Sequence, residues 1–126
     1  MLVSDLPISL WGLEKLVQGA GPEIELAGTA GDCGEATRII YETPINVIVV
    51  DLDGDIGIDA IAELCSISPA RVLALTVSRD VSVHDGAILA GARGIVTRSE
   101  PVASLLKAIE KIDEGEFWID GAATGR

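Results

Sequence analysis

Short apolar runs alternate five times along the chain with segments whose apolar positions recur at helical spacing. The apolar runs predict strands at residues 2–4, 24–28, 45–50, 72–75 and 94–97. The segments that follow them predict helices at residues 8–18, 33–42, 58–67, 81–90 and 102–114. This alternation is typical of βαβ units, in which helices cover both faces of a parallel sheet. We therefore predict an α/β fold with a doubly wound, five-stranded parallel sheet.

The size and composition of the chain narrow the class of protein. Its 126 residues correspond to one domain, and 48% apolar residues suffice for a single core. The formal net charge of -11 repels phosphate backbones, so we do not expect this chain itself to bind nucleic acid. Cys33 and Cys65 lack zinc-type spacing, which favours free thiols in a reducing compartment.

No apolar segment of the sequence approaches the roughly 20 residues of a membrane span. We therefore expect a cytoplasmic protein without membrane contacts.

Polar side chains follow four of the predicted strands. Asp5, Asp51, Thr76 and Arg98 stand directly after the first, third, fourth and fifth strands, respectively. Each of these taken alone is usually a helix cap, a packing residue or a surface residue. However, the carboxyl ends of parallel strands meet at one edge of the sheet, where open α/β folds bind their ligands. Four such groups at one edge therefore predict a functional site.

The residue types in this predicted site suit metal-assisted phosphoryl chemistry. Asp5, Asp51 and the main-chain carbonyl of Asp53 offer the hard oxygen ligands that Mg²⁺ prefers. Two neighbouring carboxylates repel each other unless a cation offsets their charge. A bound metal would screen Asp51, so that its oxygen could attack a phosphorus atom. Thr76 would donate a hydrogen bond to the transferred group, and Arg98 would supply fixed positive charge.

Four motifs around these positions resemble the receiver domains of two-component response regulators. They are LVSDLP at 2–7, VVDLD at 49–53, LT at 75–76 and GARGIVTR at 91–98. Their order and spacing are similar to those of receivers over essentially the whole chain. The fold that this resemblance implies has the sheet order 2-1-3-4-5.

Further stretches are similar to the subgroup of receivers that precede a LuxR-type helix-turn-helix domain. These stretches are VLALT at 72–76, LLKAI at 105–109 and GEFWID at 115–120. The resemblance implies a receiver domain at residues 1–120. It also implies that residues 121–126 begin a linker to a C-terminal DNA-binding domain that is absent from this chain.

The resemblance also implies the roles of the site residues and the partners. Asp51 would accept a phosphoryl group from a histidine kinase, Asp5 would bind Mg²⁺, and Thr76 would respond to the phosphoryl group. The chain would be a signalling domain and not an enzyme, and it would control transcription by contacting DNA only through the absent domain. We expect a homodimer through the fourth helix, fifth strand and fifth helix.

Several positions depart from the receiver pattern. Ser4 stands where receivers usually have a second acid, and Arg98 replaces their lysine. Ile95 occupies the position of the switching aromatic residue, and the loop 51–57 is short and lacks a proline. Ser4, Arg98 and Ile95 favour an alternative, a pseudo-receiver that signals through protein contacts without phosphorylation.

Two further alternatives arise from the acids after the third strand. The string VVDLDG resembles the first motif of haloacid-dehalogenase-type phosphatases, in which Asp51 would be the nucleophile and Asp53 the general acid. That assignment leaves Asp5 without a role. Asp51, Asp53, Asp55 and Asp59 also approach the spacing of a calcium-binding loop, but a strand and not a helix precedes them.

Overall fold

The computed structural model describes residues 1–125, in which one seven-stranded sheet has the order β2-β1-β3-β4-β5-β6-β7. The strands are β1 (Leu2–Val3), β2 (Thr29–Ala30), β3 (Val47–Asp51), β4 (Arg71–Thr76), β5 (Gly94–Thr97), β6 (Phe117–Ile119) and β7 (Ala122–Thr124). The helices are α1 (Pro7–Gln18), α2 (Cys33–Glu42), α3 (Ile58–Ile67), α4 (Val81–Ala90) and α5 (Val102–Asp113). None of these helices is long and apolar enough to cross a membrane. All neighbouring strands pair in parallel except β6 and β7, which are antiparallel.

Strand β3 lies inside the sheet between β1 and β4, and each of its residues is buried. Its side chains alternate between two cores. Ile48 and Val50 pack in the core covered by α2, α3 and α4, whereas Val47 and Val49 pack in the core covered by α1 and α5. Burial on both faces explains the continuous apolar run in the sequence. It also brings Asp51, the last residue of β3, to the carboxyl edge of the sheet.

The structure confirms the doubly wound α/β fold and the order 2-1-3-4-5 of the first five strands. The predicted position of β2, residues 24–28, is wrong. Pairing with β1 starts only where Leu2 N–H donates to the Gly28 carbonyl, and the strand is Thr29–Ala30. Ile24 and Leu26 instead pack as loop residues against the core under α1 and α5. Their apolar pattern reflects this packing and not a strand.

The hairpin of β6 and β7 extends the sheet beyond the five predicted strands. Asp120 and Gly121 connect the two strands with positive φ angles of 54° and 77°, the backbone that two-residue hairpin turns require. Gly94 lets β6 approach β5, because a Cβ there would lie 2.7 Å from the Trp118 carbonyl oxygen. Strand β7 lies within the predicted linker 121–126, whose last residue is outside the described residues. The linker role itself stays a prediction.

Candidate functional site

The carboxylate of Asp51 forms the centre of the candidate site. Its side chain is 0% exposed. One carboxylate oxygen, Oδ1, accepts a hydrogen bond from the Asp53 N–H at 3.0 Å. The other, Oδ2, accepts hydrogen bonds from Ser4 Oγ, Ser9 Oγ and Arg98 Nη2, each at 2.8 Å. The carboxylate is therefore buried but surrounded by donors, as a buried charge must be.

These donors determine the charge state of Asp51. Burial by itself raises the pKa of the carboxyl group, because the charged form loses its hydration. The Asp53 N–H and the hydroxyls of two serines stabilise the charged form, and the Arg98 guanidinium adds a positive charge. Together these contacts outweigh burial and hold the pKa of Asp51 below its ordinary value. Asp51 is consequently an anion at neutral pH.

Arg98 follows β5 and bridges two carboxylates. Its Nη2 contacts Asp51, and its Nε donates to Asp53 Oδ2 at 2.6 Å. Nη2 also donates to Ser9 Oγ at 2.6 Å. Burial by itself lowers the pKa of Arg98. The hydrogen bonds and negative charges of Asp53 and Asp51 have the larger effect, so the pKa of Arg98 is raised. Binding two acids through different nitrogens requires the planar fork of a guanidinium, which a lysine does not have.

The side chain of Asp53 turns into the site. Its Oδ1 accepts hydrogen bonds from Thr76 Oγ1 at 2.9 Å and from the Val77 N–H at 2.9 Å. The same N–H also approaches Oδ2 at 3.1 Å. The side chain is 12% exposed. Thr76, at the end of β4, therefore donates to a neighbouring carboxylate.

Asp5 contributes a carboxylate oxygen that accepts no hydrogen bond. Its Oδ2 accepts a hydrogen bond from the Asp55 N–H at 2.8 Å, whereas Oδ1 is buried without a hydrogen-bond partner. The loop packs so closely here that a Cβ on Gly54 would overlap the Asp5 carboxylate. Among the described residues, no group of three or more His, Cys, Asp or Glu side chains could hold a metal ion. An unpartnered carboxylate oxygen nevertheless fits Mg²⁺, which often uses only one or two carboxylates and keeps several waters.

A chain of hydrogen bonds connects the site to α4. Thr76 Oγ1 accepts a hydrogen bond from the Ser78 N–H at 3.1 Å, and the Ser78 carbonyl contacts His84 Nε2 of α4 at 2.7 Å. Ile95 on β5 is buried in the core that also contains Ala87 of α4. A displacement of Thr76 would thus affect both the loop before α4 and the first turns of that helix.

All the residues predicted to form the site lie at the carboxyl edge of the sheet, except Ile95, which lies in the core. The contributors that were not predicted are the hydroxyls of Ser4 and Ser9, the N–H groups of Asp53 and Val77, and the contacts of the Asp53 side chain with Thr76 and Arg98. Ser9 is in α1 and not at a strand end, so the strand pattern carries no signal for it. A main-chain N–H has no residue-type signal at all, and the direction of the Asp53 side chain depends on its rotamer.

Comparisons with known proteins assign the fold to a family. No family model matches the chain. A solved two-component response regulator of the LuxR family, from an Aurantimonas species, is 36% identical with a TM-score of 0.82. The match covers 94% of this chain and 86% of that one. The chain belongs to the LuxR family of two-component response regulators. The unit formed by its first five strands and its five helices is a receiver domain.

Further similarities support this family. The isolated REC domain of RcsB from Salmonella enterica, solved with the phosphomimetic BeF3-, has a TM-score of 0.82. That match covers 95% of this chain and 91% of the RcsB chain, and at 20% identity it shows the shared fold. The DNA-binding transcriptional activator DevR/DosR of Mycobacterium tuberculosis is 33% identical over 126 residues, which are 97% of this chain and 57% of that protein. The chain spans about half to three fifths of the length of three curated relatives that it matches.

Proposed function

We propose that this receiver domain accepts a phosphoryl group on Asp51 from a histidine kinase and thereby controls transcription. The observation that carries the proposal is the Asp51 carboxylate, which is 0% exposed and yet has a lowered pKa. A carboxylate that is ionised and positioned by its neighbours can act as a nucleophile toward phosphorus. Asp51 is the last residue of β3, at the carboxyl edge where open α/β sheets usually bind their ligands.

The contacts of Asp51 suggest which oxygen attacks. Oδ2 accepts three hydrogen bonds, whereas Oδ1 accepts one, from the Asp53 N–H. We infer that Oδ1 forms the bond to phosphorus, while the bond between phosphorus and the kinase histidine breaks and its electron pair stays on the imidazole nitrogen. Oδ2 remains held by its donors, so the carboxyl group keeps its orientation during the transfer.

Other residues stabilise the charge of the transferred group. Arg98 lies against Asp51 and would balance the negative charge that gathers as the phosphoryl group approaches. Thr76 would donate its hydroxyl hydrogen to a phosphoryl oxygen. Asp5, Asp51 and the main-chain carbonyl of Asp53 would hold Mg²⁺. When bound, the metal would offset the charges of the carboxylates and of the incoming group.

The output of the domain is proposed to run through α4, β5 and α5. Thr76 is linked to α4 through Ser78, so a phosphoryl group that moves Thr76 would shift that helix. Val81 and Leu89 of α4 are 69% and 87% exposed, which provides an apolar surface for a second copy. A DNA-binding domain outside this chain would contact DNA, as the net charge of -11 and the relation to DevR/DosR suggest.

The test is intact-mass measurement after incubation with acetyl phosphate and Mg²⁺. The wild-type protein is expected to gain the mass of one phosphoryl group, and Asp51→Asn is expected to gain none. A wild-type protein that gains no mass, with small donors or with kinases, would make this chain a pseudo-receiver that signals through protein contacts alone.

A further inference from the structure

Three donors from two different strand ends converge on the Asp53 carboxylate. The Thr76 hydroxyl and the Val77 N–H come from the end of β4, and the Arg98 guanidinium follows β5. Their distances to the carboxylate oxygens are 2.9, 2.9 and 2.6 Å. The donors thus form an anion pocket between the ends of β4 and β5, and Asp53 fills it.

This pocket lies directly beside the phosphoacceptor. The guanidinium of Arg98 binds Asp53 through Nε and Asp51 through Nη2, so the two carboxylates share one cation. A hydroxyl, a main-chain N–H and a guanidinium are also the donors with which proteins bind phosphate oxygens. A phosphoryl group attached to Asp51 would need these same donors.

We propose that the Asp53 carboxylate is an internal substitute for the phosphoryl group and has to leave the pocket before Asp51 is phosphorylated. This inference rests on the proposed function and concerns its regulation. The oxygens of a phosphoryl group would need the donors that the Asp53 oxygens now occupy, and a further anion placed beside Asp51 and Asp53 would be repelled at short range. Asp53 is also only two residues from Asp51 in the chain, so its carboxylate competes with the phosphoryl group for the pocket at a high effective concentration.

The local backbone allows Asp53 to act in this way without disturbing the acceptor. The Asp53 N–H donates to Asp51 Oδ1, whereas only the side chain occupies the pocket. Rotation of the Asp53 side chain toward solvent would therefore empty the pocket and leave the N–H in position. Since the side chain is already 12% exposed, the path to solvent is short.

The competition has two measurable consequences. Phosphorylation of the wild-type protein is slowed by the need to displace Asp53. In addition, Thr76 and Val77 already hold an anion before phosphorylation, so the change in their surroundings on phosphorylation is small. Removing the carboxylate should reverse both effects, giving faster phosphorylation and a larger change at Val77.

Two variants of Asp53 test the proposal, with a charge-matched control. Asp53→Ala removes the carboxylate, and Asp53→Asn keeps its shape without its charge. Asp59→Asn removes the same charge from an exposed position in the first turn of α3, outside the pocket. Intact mass with acetyl phosphate and Mg²⁺ should show both Asp53 variants gaining one phosphoryl group about tenfold faster than wild type, the equivalent of one charge-assisted hydrogen bond. Asp59→Asn should match wild type.

A second readout follows the pocket without any phosphoryl transfer. The amide signal of Val77 in ¹H–¹⁵N NMR spectra should shift when Asp53→Ala empties the pocket. Addition of beryllofluoride and Mg²⁺ should move this signal further in Asp53→Ala than in wild type, where the N–H exchanges one anion for another. Asp59→Asn should show the wild-type response.

The outcomes separate this inference from the proposed function. Equal rates in wild type and both Asp53 variants, with equal beryllofluoride shifts at Val77, would overturn the inference and leave Asp51 as the phosphoacceptor. Absence of any mass gain and of any beryllofluoride shift in all variants, including Asp53→Ala, would overturn both. Faster gain in the Asp53 variants that is abolished by the additional substitution Asp51→Asn supports both.

Discussion

Replacing Arg98 by Met removes the cation that faces Asp51 while keeping much of the side-chain volume. Asp51, which is 0% exposed in the wild-type protein, would keep the hydrogen bonds from Ser4, Ser9 and the Asp53 N–H. Its negative charge, however, would lose the guanidinium at 2.8 Å. Asp53 would at the same time lose its contact with Nε at 2.6 Å. We therefore expect Arg98→Met to lower the free energy of unfolding.

The size of this loss follows from the burial of the two partners. Removing one partner of a fully buried ion pair costs about 3–5 kcal/mol. Arg98 is 31% exposed and three donors remain on Asp51, so water and these donors will compensate part of the loss. We expect a loss of about 2–3 kcal/mol, which corresponds to a urea midpoint lower by about 1–2 M.

Urea unfolding at neutral pH, followed by tryptophan fluorescence, measures this loss, because Trp118 is 3% exposed in the folded protein and becomes exposed on unfolding. Arg79→Met, at an exposed position in the loop before α4, controls for the loss of one positive charge. In an Asp51→Asn background the cost of Arg98→Met should be smaller by about 2 kcal/mol, since the two residues interact directly. The reasoning would be refuted if Arg98→Met lowered the free energy of unfolding equally in both backgrounds, or if Arg79→Met lowered it as much as Arg98→Met.

The remaining predictions concern pH, metal, turnover and assembly. Because the pKa of Asp51 is lower in the folded protein than its ordinary value of 3.8, its contribution to stability is complete above 3.8 and is lost as the pH falls through the folded value. Urea unfolding across this range should show a steeper loss in wild type than in Asp51→Asn. An NMR titration should show weak Mg²⁺ binding that Asp5→Ala abolishes. No multiple turnover of p-nitrophenyl phosphate is expected, in wild type or in Asp53→Asn. Sedimentation should show tighter dimers with beryllofluoride, altered by Lys107→Glu on the exposed side of α5.

Each of these predictions has an outcome that contradicts it. Parallel acid profiles of wild type and Asp51→Asn would contradict the lowered pKa. Mg²⁺ shifts that persist in Asp5→Ala would locate the metal elsewhere. Sustained hydrolysis that Asp53→Asn stops would support the phosphatase alternative. A monomer in both states, with unchanged NMR shifts in α4, β5 and α5, would exclude the proposed dimer.

The sequence predicts the elements well where burial imposes a pattern. The bounds of α2, α3 and α4 agree with the structure, and β5 was predicted without error. The run before Asp51 was recognisable because β3 is buried on both faces. In contrast, Ile24 and Leu26 pack against the core from a loop, and no local pattern separates such packing from strand pairing. The three-residue strands of the terminal hairpin are too short to show a period.

The candidate site also contains some residues that could be predicted from the sequence and others that could not. Residues at strand ends could be predicted, because the topology brings every such end to one edge of the sheet. The contact of Ser9 with both Asp51 and Arg98 depends on how α1 lies over that edge. The position of the Asp53 carboxylate between Thr76 and Arg98 depends on a side-chain rotamer. Neither of these has a signature in the order of residues along the chain.

The most direct test of the central claim is to identify the residue that carries the phosphoryl group. The protein is incubated with acetyl phosphate and Mg²⁺, the acyl phosphate is reduced with borohydride, and the peptides are sequenced by mass spectrometry. Phosphorylation of Asp51 predicts homoserine at position 51 in wild type and at no position in Asp51→Asn. An unmodified wild-type protein, or a modification that persists in Asp51→Asn, would contradict the account.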